Sequence, residues 1–260
     1  MSAEWVGSTP RSSRVNQDGK WPECQAEMKE IDAVSFIRAN TEVQSPPLTP
    51  EISLHLASES LPIWRRTEEE LGEMNVPPPY WAFAWAGGQA LARYVLDNSE
   101  LVAGKTVIDL GSGSGLVAIA AARAGARRVL AFDIDRLAIA AIGLNAAVNG
   151  VEVIAAERDI FEGTLPQVDV LLVGDLFYER ELADRMLELL EVASQQGTDV
   201  LVGDPRRSYF PVKRFAQVAL YEVPVTRELE DMEVKRTAVW RFSVPPANLS
   251  FLSAGSVEAA

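Results

Sequence analysis

The sequence predicts an α/β fold built on an open, mostly parallel sheet of seven strands, with an antiparallel pair at its end and a helical extension ahead of it. Three observations carry this reading. From Thr106 to Val202, short β-rich runs alternate with helical runs; the first β-run ends in a glycine turn; and the last two β-rich segments have no helix pattern between them. Strands that alternate with helices need crossover connections, which cover both faces of a parallel sheet. Two neighbouring strands without a helix pair antiparallel.

Taken in order, residues 1 to 27 are polar and broken by Pro10, Gly19 and Pro22, a composition that favours a disordered head over a packed element. Arg11, Arg14 and several serines hint at a transit peptide, but Glu4 and Asp18 interrupt it. Residues 28 to 76 read as the helical extension. Ile31, Val34, Phe36 and Ile37 have helical spacing between Met28 and Val43, ended by Ser45-Pro46-Pro47; Leu54, Leu56, Leu61 and Trp64 continue it from Pro50 to Leu71. The main domain, 77 to 244, opens on Pro77-Pro78-Pro79-Tyr80-Trp81-Ala82-Phe83-Ala84-Trp85-Ala86-Gly87-Gly88, too aromatic for an idle linker. Strands are expected at Thr106–Leu110, Arg128–Phe132, Val151–Ala155, Val168–Val173 and Asp199–Val202. Helices are expected at Leu116–Ala124, closed by Gly125, at Leu137–Val148, closed by Asn149-Gly150, and at Glu181–Ala193. Leu220–Val225 and Thr237–Phe242 form the antiparallel pair, and residues 245 to 260 read as a loose tail.

Composition removes several classes of function. The chain of 260 residues is 48% hydrophobic, enough for one sizeable core, and no apolar run is long enough to span a membrane. With 24 basic against 37 acidic residues the net charge is -13, which repels a phosphate backbone and disfavours nucleic acid as a partner. Cys24 is the only cysteine and His55 the only histidine. Internal disulfides, cysteine-zinc clusters, two-histidine metal sites and triads with a spare imidazole are thereby excluded, and a reducing compartment is expected. His55 itself reads as a structural or surface residue.

The chemistry gathers at strand ends. Asp109-Leu110-Gly111-Ser112-Gly113-Ser114-Gly115 turns the first strand into a helix, where open α/β sheets bind nucleotide-like ligands. Glycines alone do not name the ligand. Asp109 discriminates: beside a pyrophosphate it would repel, whereas it would hold the ammonium group of S-adenosylmethionine. Asp133, about twenty residues on at the end of the second strand, is positioned to accept both ribose hydroxyls. Ile134 follows it, and Asp135 reads as exposed. Asp159 offers an acceptor for the adenine amino group and Ile160 an apolar surface for the ring. Aspartates also cap helices and turns, a reading that stands beside the functional one for Asp135 and Asp159. Trp85 is a candidate cofactor wall, while Trp81 and Phe83 read as core. Gly174 and Asp175 close the fourth strand.

These motifs resemble the seven-β-strand protein methyltransferases, and within them the lysine methyltransferases of the electron transfer flavoprotein β subunit. The resemblance runs from about Phe36 to Phe242 and rests on the tryptophan-rich segment Pro78 to Gly88, on Val107 to Gly115, and on Gly174-Asp175-Leu176-Phe177-Tyr178-Glu179-Arg180. It implies a Rossmann-like methyltransferase sheet, S-adenosyl-L-methionine as cofactor, and a protein substrate bearing a target lysine. It also implies that Asp175 to Tyr178 lie beside the transferable methyl group and that Trp85 lines the cofactor pocket. Enzymes that methylate planar amide or base nitrogens carry Asn-Pro-Pro-Tyr in place of Asp175-Leu176-Phe177-Tyr178; a carboxylate with aromatic neighbours suits an amine better.

An amine must be neutral to accept a methyl group, and with a reference pKa of about 10.4 only a few lysines in ten thousand are neutral at pH 7. The expectation is that Asp175 captures and orients the ammonium while Tyr178 shapes the channel. The expected compartment is the cytoplasm, or the mitochondrial matrix in a eukaryotic source. A small-molecule methyltransferase on the same fold and a non-catalytic S-adenosylmethionine-binding module remain open alternatives.

Overall fold

In the computed structural model, which describes residues 32–57, 78–225 and 233–243, the chain starts with a short helix, α1 (Ala33–Asn40). The helix ends because side chains take over its last carbonyls: Asn40 Nδ2 donates to the Phe36 carbonyl at 2.8 Å and Thr41 Oγ1 to that of Ile37 at 2.6 Å. Thr41 is already extended, so the helix expected to reach Val43 stops three residues earlier. Val43 lies instead in β1 (Glu42–Gln44), which pairs antiparallel with β2 (Leu54–Leu56). The helical reading from Pro50 is corrected over this stretch: Leu54 and Leu56 are buried with His55 between them facing outward, the alternation of a strand. The remainder of the expected second helix, and the head and tail at 1–27 and 245–260, lie outside the described residues.

The next elements build the main sheet. Helix α2 (Ala86–Asp97) precedes β3 (Thr106–Leu110), α3 (Leu116–Arg123), β4 (Arg128–Asp133), α4 (Arg136–Val148), β5 (Ile154–Glu157), β6 (Val170–Gly174), α5 (Arg180–Gln195) and β7 (Asp199–Asp204). The long strands β8 (Phe215–Pro224) and β9 (Val234–Phe242) complete it. The sheet order is β5-β4-β3-β6-β7-β9-β8, with β3 to β7 parallel and β9 antiparallel between β7 and β8. The expected Val151–Ala155 strand begins three residues late, because Val151 N–H is taken by the Ala146 carbonyl at the end of α4. The terminal pair is longer than expected: Phe215 to Ala219 pair with β9 through a bulge although most of them face solvent.

Strand pleating divides the interior in two. Val107, Leu172, Leu201 and Val239 face one side, where they meet Leu91 of α2 and Ile119 of α3. Ile108, Leu171, Val200 and Trp240, one residue away in each strand, face the other side and meet Met186 and Leu190 of α5. Each such side chain contributes about 1.5–3 kcal/mol by leaving water. On α5, Ala183, Met186, Leu190 and Ala193 repeat at helical spacing, so one stripe is buried and the rest solvated.

The described part of the extension is fastened to this framework. Asn145 of α4 and Asn149 at its C-terminal cap accept the backbone N–H groups of His55 and Ser53 at 2.7 and 3.0 Å, and Ala57 N–H reaches the Ala82 carbonyl at 2.8 Å. Ile52, Leu54 and Leu56 enter the core beside Val107. His55 is half-buried with Nδ1 3.2 Å from Thr41 Oγ1, and burial lowers its pKa. No helix among the described residues is long and apolar enough to cross a membrane.

Candidate active site at the carboxyl ends of the strands

Strand order reverses at β3, whose neighbours β4 and β6 carry the chain away in opposite directions, and the crevice opens beyond their carboxyl ends. There a cavity of about 800 Å³ is lined by residues from the ends of β4 and β6, the loop after β5 and the aromatic segment. That is the size range of small-molecule and cofactor pockets.

The turn after β3 supplies its floor. Gly111 has φ of 59°, a left-handed backbone that favours glycine, and a Cβ built there would press on the tip of the Leu176 side chain 2.7 Å away. Gly111 and Gly113 line the cavity, while Gly115 lies behind them, packed on Ile142 where α3 begins. Asp109 also sits under the loop rather than on the cavity wall. It is 2% exposed; Oδ2 accepts from Ser112 Oγ at 2.5 Å and from Ala118 N–H at 3.1 Å. Burial pushes its carboxyl up to about 7 against the pull of these bonds.

Asp133 closes β4 and does line the cavity. Its Oδ2 accepts from Gly113 N–H at 2.8 Å and Oδ1 from Asp135 N–H at 3.0 Å, so one carboxylate ties the glycine turn to the next strand. Ile134 stands at the lip, 70% exposed. Asp135, expected to be exposed, is half-buried and caps α4 through the Leu137 N–H at 2.8 Å; burial raises its pKa. Asp159 lines the same side and accepts from Phe161 N–H at 2.9 Å, with Ile160 buried beside it.

Gly174, Asp175 and the aromatic segment make the opposite wall. Trp85 is the N-cap residue of α2 and its Nε1 donates to the Tyr80 carbonyl at 2.9 Å. Tyr80 lies 6.0 Å from the Trp85 ring and 6.0 Å from that of Tyr178, forming an aromatic rim. Tyr178 is 47% exposed, and burial of the remainder raises its pKa. Trp81 is buried as expected, although one face borders the cavity, and Phe83 is half-buried against Trp85.

Asp175 is not an open carboxylate. It adopts a left-handed backbone, φ 58°, and is 7% exposed. Oδ2 accepts Gly88 N–H from the first turn of α2 at 3.1 Å, and Oδ1 accepts Nε and Nη2 of Arg207 at 3.0 and 2.7 Å. The guanidinium lies 5.7 Å from the Trp85 ring centre. This approach of α2 to the strands needs a bare backbone: a Cβ on Gly87 would be 2.2 Å from the Gly203 carbonyl oxygen. Behind Arg207, fully buried Asp204 accepts its N–H at 2.7 Å, and burial followed by the charge of Asp175 pushes this acid up to about 7. The sequence reasoning found neither Arg207 nor Asp204. The signal available was a further aspartate closing a strand, in Gly203-Asp204-Pro205-Arg206-Arg207.

Comparison with known proteins places this geometry. A model of the ribosomal protein L11 methyltransferase family matches residues 89–195, from α2 through the glycine turn to the end of α5. An electron transfer flavoprotein β-subunit lysine methyltransferase of Danio rerio is 40% identical over 224 residues, 84% of this chain and 86% of the relative. The Homo sapiens protein of that description is 38% identical over 215 residues, 80% of this chain and 81% of its own length. The chain belongs to this lysine methyltransferase family. It is a methyltransferase, and S-adenosyl-L-methionine is its methyl donor. A Caenorhabditis elegans homolog in the same family is 34% identical over 67% of the chain.

The residues present fit that donor. A glycine turn on the cavity floor, the Asp133 carboxylate at the end of β4, Ile134 and Ile160 beside it, and an acid beneath the turn that burial pushes up to about 7 suit an aminoacyl nucleoside.

Proposed function

We propose that this chain methylates a lysine side chain of a protein, the electron transfer flavoprotein β subunit. One observation carries the acceptor: identity near 40% over four fifths of the chain or more with relatives so described. The mouth of the cavity supports it. Tyr80, Trp85 and Tyr178 offer aromatic surfaces to an aliphatic stem and its amine, with Asp175 at their base. The net charge of -13 argues against a nucleic-acid acceptor and favours a lysine-bearing surface. With one cysteine in the chain, we infer a reducing compartment, the cytoplasm or, in a eukaryotic source, the mitochondrial matrix.

For the donor we assign Asp133 to the ribose hydroxyls, Ile134 and Ile160 to the faces of the adenine, Asp159 to its amino group, and Gly111, Gly113 and Gly174 to close backbone approach. Trp85 walls the pocket. Asp109 and Gly115 act from beneath, Asp109 as the counter-charge to the methionine ammonium. Bound S-adenosyl-L-methionine supplies an electrophilic methyl carbon, whose bond to sulfur breaks as the amine lone pair forms the new one. The protein's contribution is alignment and proton control. Asp175 orients the amine, Tyr178 lines its path and hydrogen-bonds it, and the released proton leaves to water at the open rim.

The test is mass spectrometry of purified electron transfer flavoprotein β subunit after incubation with enzyme and S-adenosyl-L-methionine. Methyl groups on lysine are the expected result. An unmodified β subunit, alongside methylation of other molecules in a lysate, would refute the acceptor.

A further inference from the structure

Arg207 stands where the reaction most needs its charge balance adjusted. Its side chain lines the cavity from the turn after β7, with Nε and Nη2 on Asp175 Oδ1 and the guanidinium near the face of Trp85. Its backbone N–H is held by Asp204 Oδ1 at 2.7 Å, and the Asp204 carbonyl in turn accepts Trp240 Nε1 at 3.1 Å. The guanidinium is therefore a fixed group, anchored through the core, rather than a solvated surface charge.

An amine entering past Tyr80 and Tyr178 meets Asp175 and Arg207 together. An uncompensated Asp175 would hold the ammonium form and raise its pKa, opposing the loss of the proton that transfer requires. A guanidinium does not titrate in this range, so it offsets the carboxylate at every working pH. We propose that Arg207 positions Asp175 as a hydrogen-bond acceptor while cancelling its charge, so that the acceptor amine is delivered neutral. The proposal rests on the lysine reading given above and adds a residue outside the family's recognisable motifs in this chain.

The surrounding charges are consistent with it. Behind Arg207 stands Asp204, whose Oδ1 takes the Arg207 backbone N–H while the guanidinium is directed at Asp175; burial and the charge of Asp175 push this second acid up to about 7. At the rim Tyr178 faces Tyr80, and Glu179 and Asp133 lie close enough to oppose its ionisation. Tyr178 is therefore neutral at working pH. Glu179 and Asp133 add negative potential to the mouth, which Arg207, in contact with Asp175, counters with a full positive charge.

The experiment measures kcat and KM for β-subunit methylation from neutral to alkaline pH for wild type, Arg207→Met and Arg207→Lys. Arg207→Met should lower kcat on the order of tenfold at neutral pH and move its rising limb up by about one pH unit. It should also lower KM, because uncancelled Asp175 grips the ammonium, and regain the wild-type rate at high pH. Arg207→Lys should keep the limb near its wild-type position. In the ligand-free protein, carbon NMR of the aspartate carboxyls should find Asp175 titrating at higher pH in Arg207→Met. A rate loss equal at all pH with an unmoved limb would overturn the proposal, as would faster turnover throughout, which would make the guanidinium an obstruction. Failure of the wild type to methylate any lysine is a distinct result: it sinks the acceptor reading, and the NMR arm still reports separately whether Arg207 sets the charge on Asp175.

Discussion

The two walls of the cavity are both built on strand-end aspartates, yet they handle charge in opposite ways. On the β4 and β5 side, Asp133 and Asp159 are held by backbone N–H groups of residues near them in the chain, such as Asp135 and Phe161. On the β6 and β7 side, Asp175 is held by Gly88, 87 residues away, and by Arg207, 32 residues away. In the function proposed above, the first wall offers its carboxylates to neutral hydroxyls and amino groups, which need an acceptor and no counter-charge. The second, in the same proposal, neutralises its carboxylate before an acceptor amine arrives. Binding a nucleoside and delivering a neutral amine ask for different electrostatics, and the same residue type serves both because its partners differ.

The most severe way to break the contrast is Asp175→Asn. It removes the charge that Arg207 and the first turn of α2 share, and misplaces both. We expect turnover to fall by roughly 10²-fold, while affinity for S-adenosylhomocysteine in a calorimeter stays at the wild-type level. A parallel loss of cofactor affinity would mean that the two walls are not separate. Asp133→Asn should do the reverse. Losing the charge-assisted bond to Gly113 and the one proposed to the ribose should cost about 2 kcal/mol, or on the order of 30-fold in cofactor affinity, with a much smaller change in KM for protein substrate.

Asp109 sharpens the comparison through pH. Its carboxyl is raised from 3.8 to about 7 in the folded protein, so the native state binds the proton more tightly than the unfolded chain. The stability this confers is present in full below pH 4 and is lost as pH rises to about 7, because unfolding releases a proton throughout that window. Denaturant titrations across it should show stability declining with pH, and Asp109→Asn should flatten the slope; an identical slope in the variant would place the linked proton elsewhere, with Asp204 the next residue to test. Because a bound ammonium stabilises the ionised form, saturating S-adenosylhomocysteine should also reduce the slope. The smallest effect belongs to Tyr178→Phe: one hydrogen bond of about 1 kcal/mol, hence about fivefold in kcat/KM, with no change in cofactor affinity.

The placement of the turn was readable in advance. A glycine turn and a spacing of about twenty residues set Asp109, Gly111, Gly113 and Asp133 at neighbouring strand ends, because a strand, a turn and the next strand end are bound to neighbour one another in a parallel sheet. What could not be read was which way a carboxylate points. Asp109 lies beneath the turn, bonded to Ser112 and Ala118, and Asp135 caps α4, because free helix amides compete for any nearby acid. Arg207 escaped notice for another reason. An arginine in a loop is usually a solvated charge, and nothing in Pro205-Arg206-Arg207 says that Gly87 and Gly203 bring α2 within reach of the same carboxylate. At the other end of the chain, Leu54 and Leu56 fit helix and strand alike, and the asparagines of α4, some ninety residues away, decided for strand.

By itself the sequence determined the alternation of strands and helices, the antiparallel ending, the site of the glycine turn and the identity of the acids around it, since these follow from periodicity and backbone sterics acting within a few residues. Only the tertiary structure decided the partners of those acids. Hydrogen-bond donors and charges act over a few ångströms of space, so whether Asp175 stands as a bare anion or as half of an ion pair depends on which distant segments the sheet order β3-β6-β7 sets side by side.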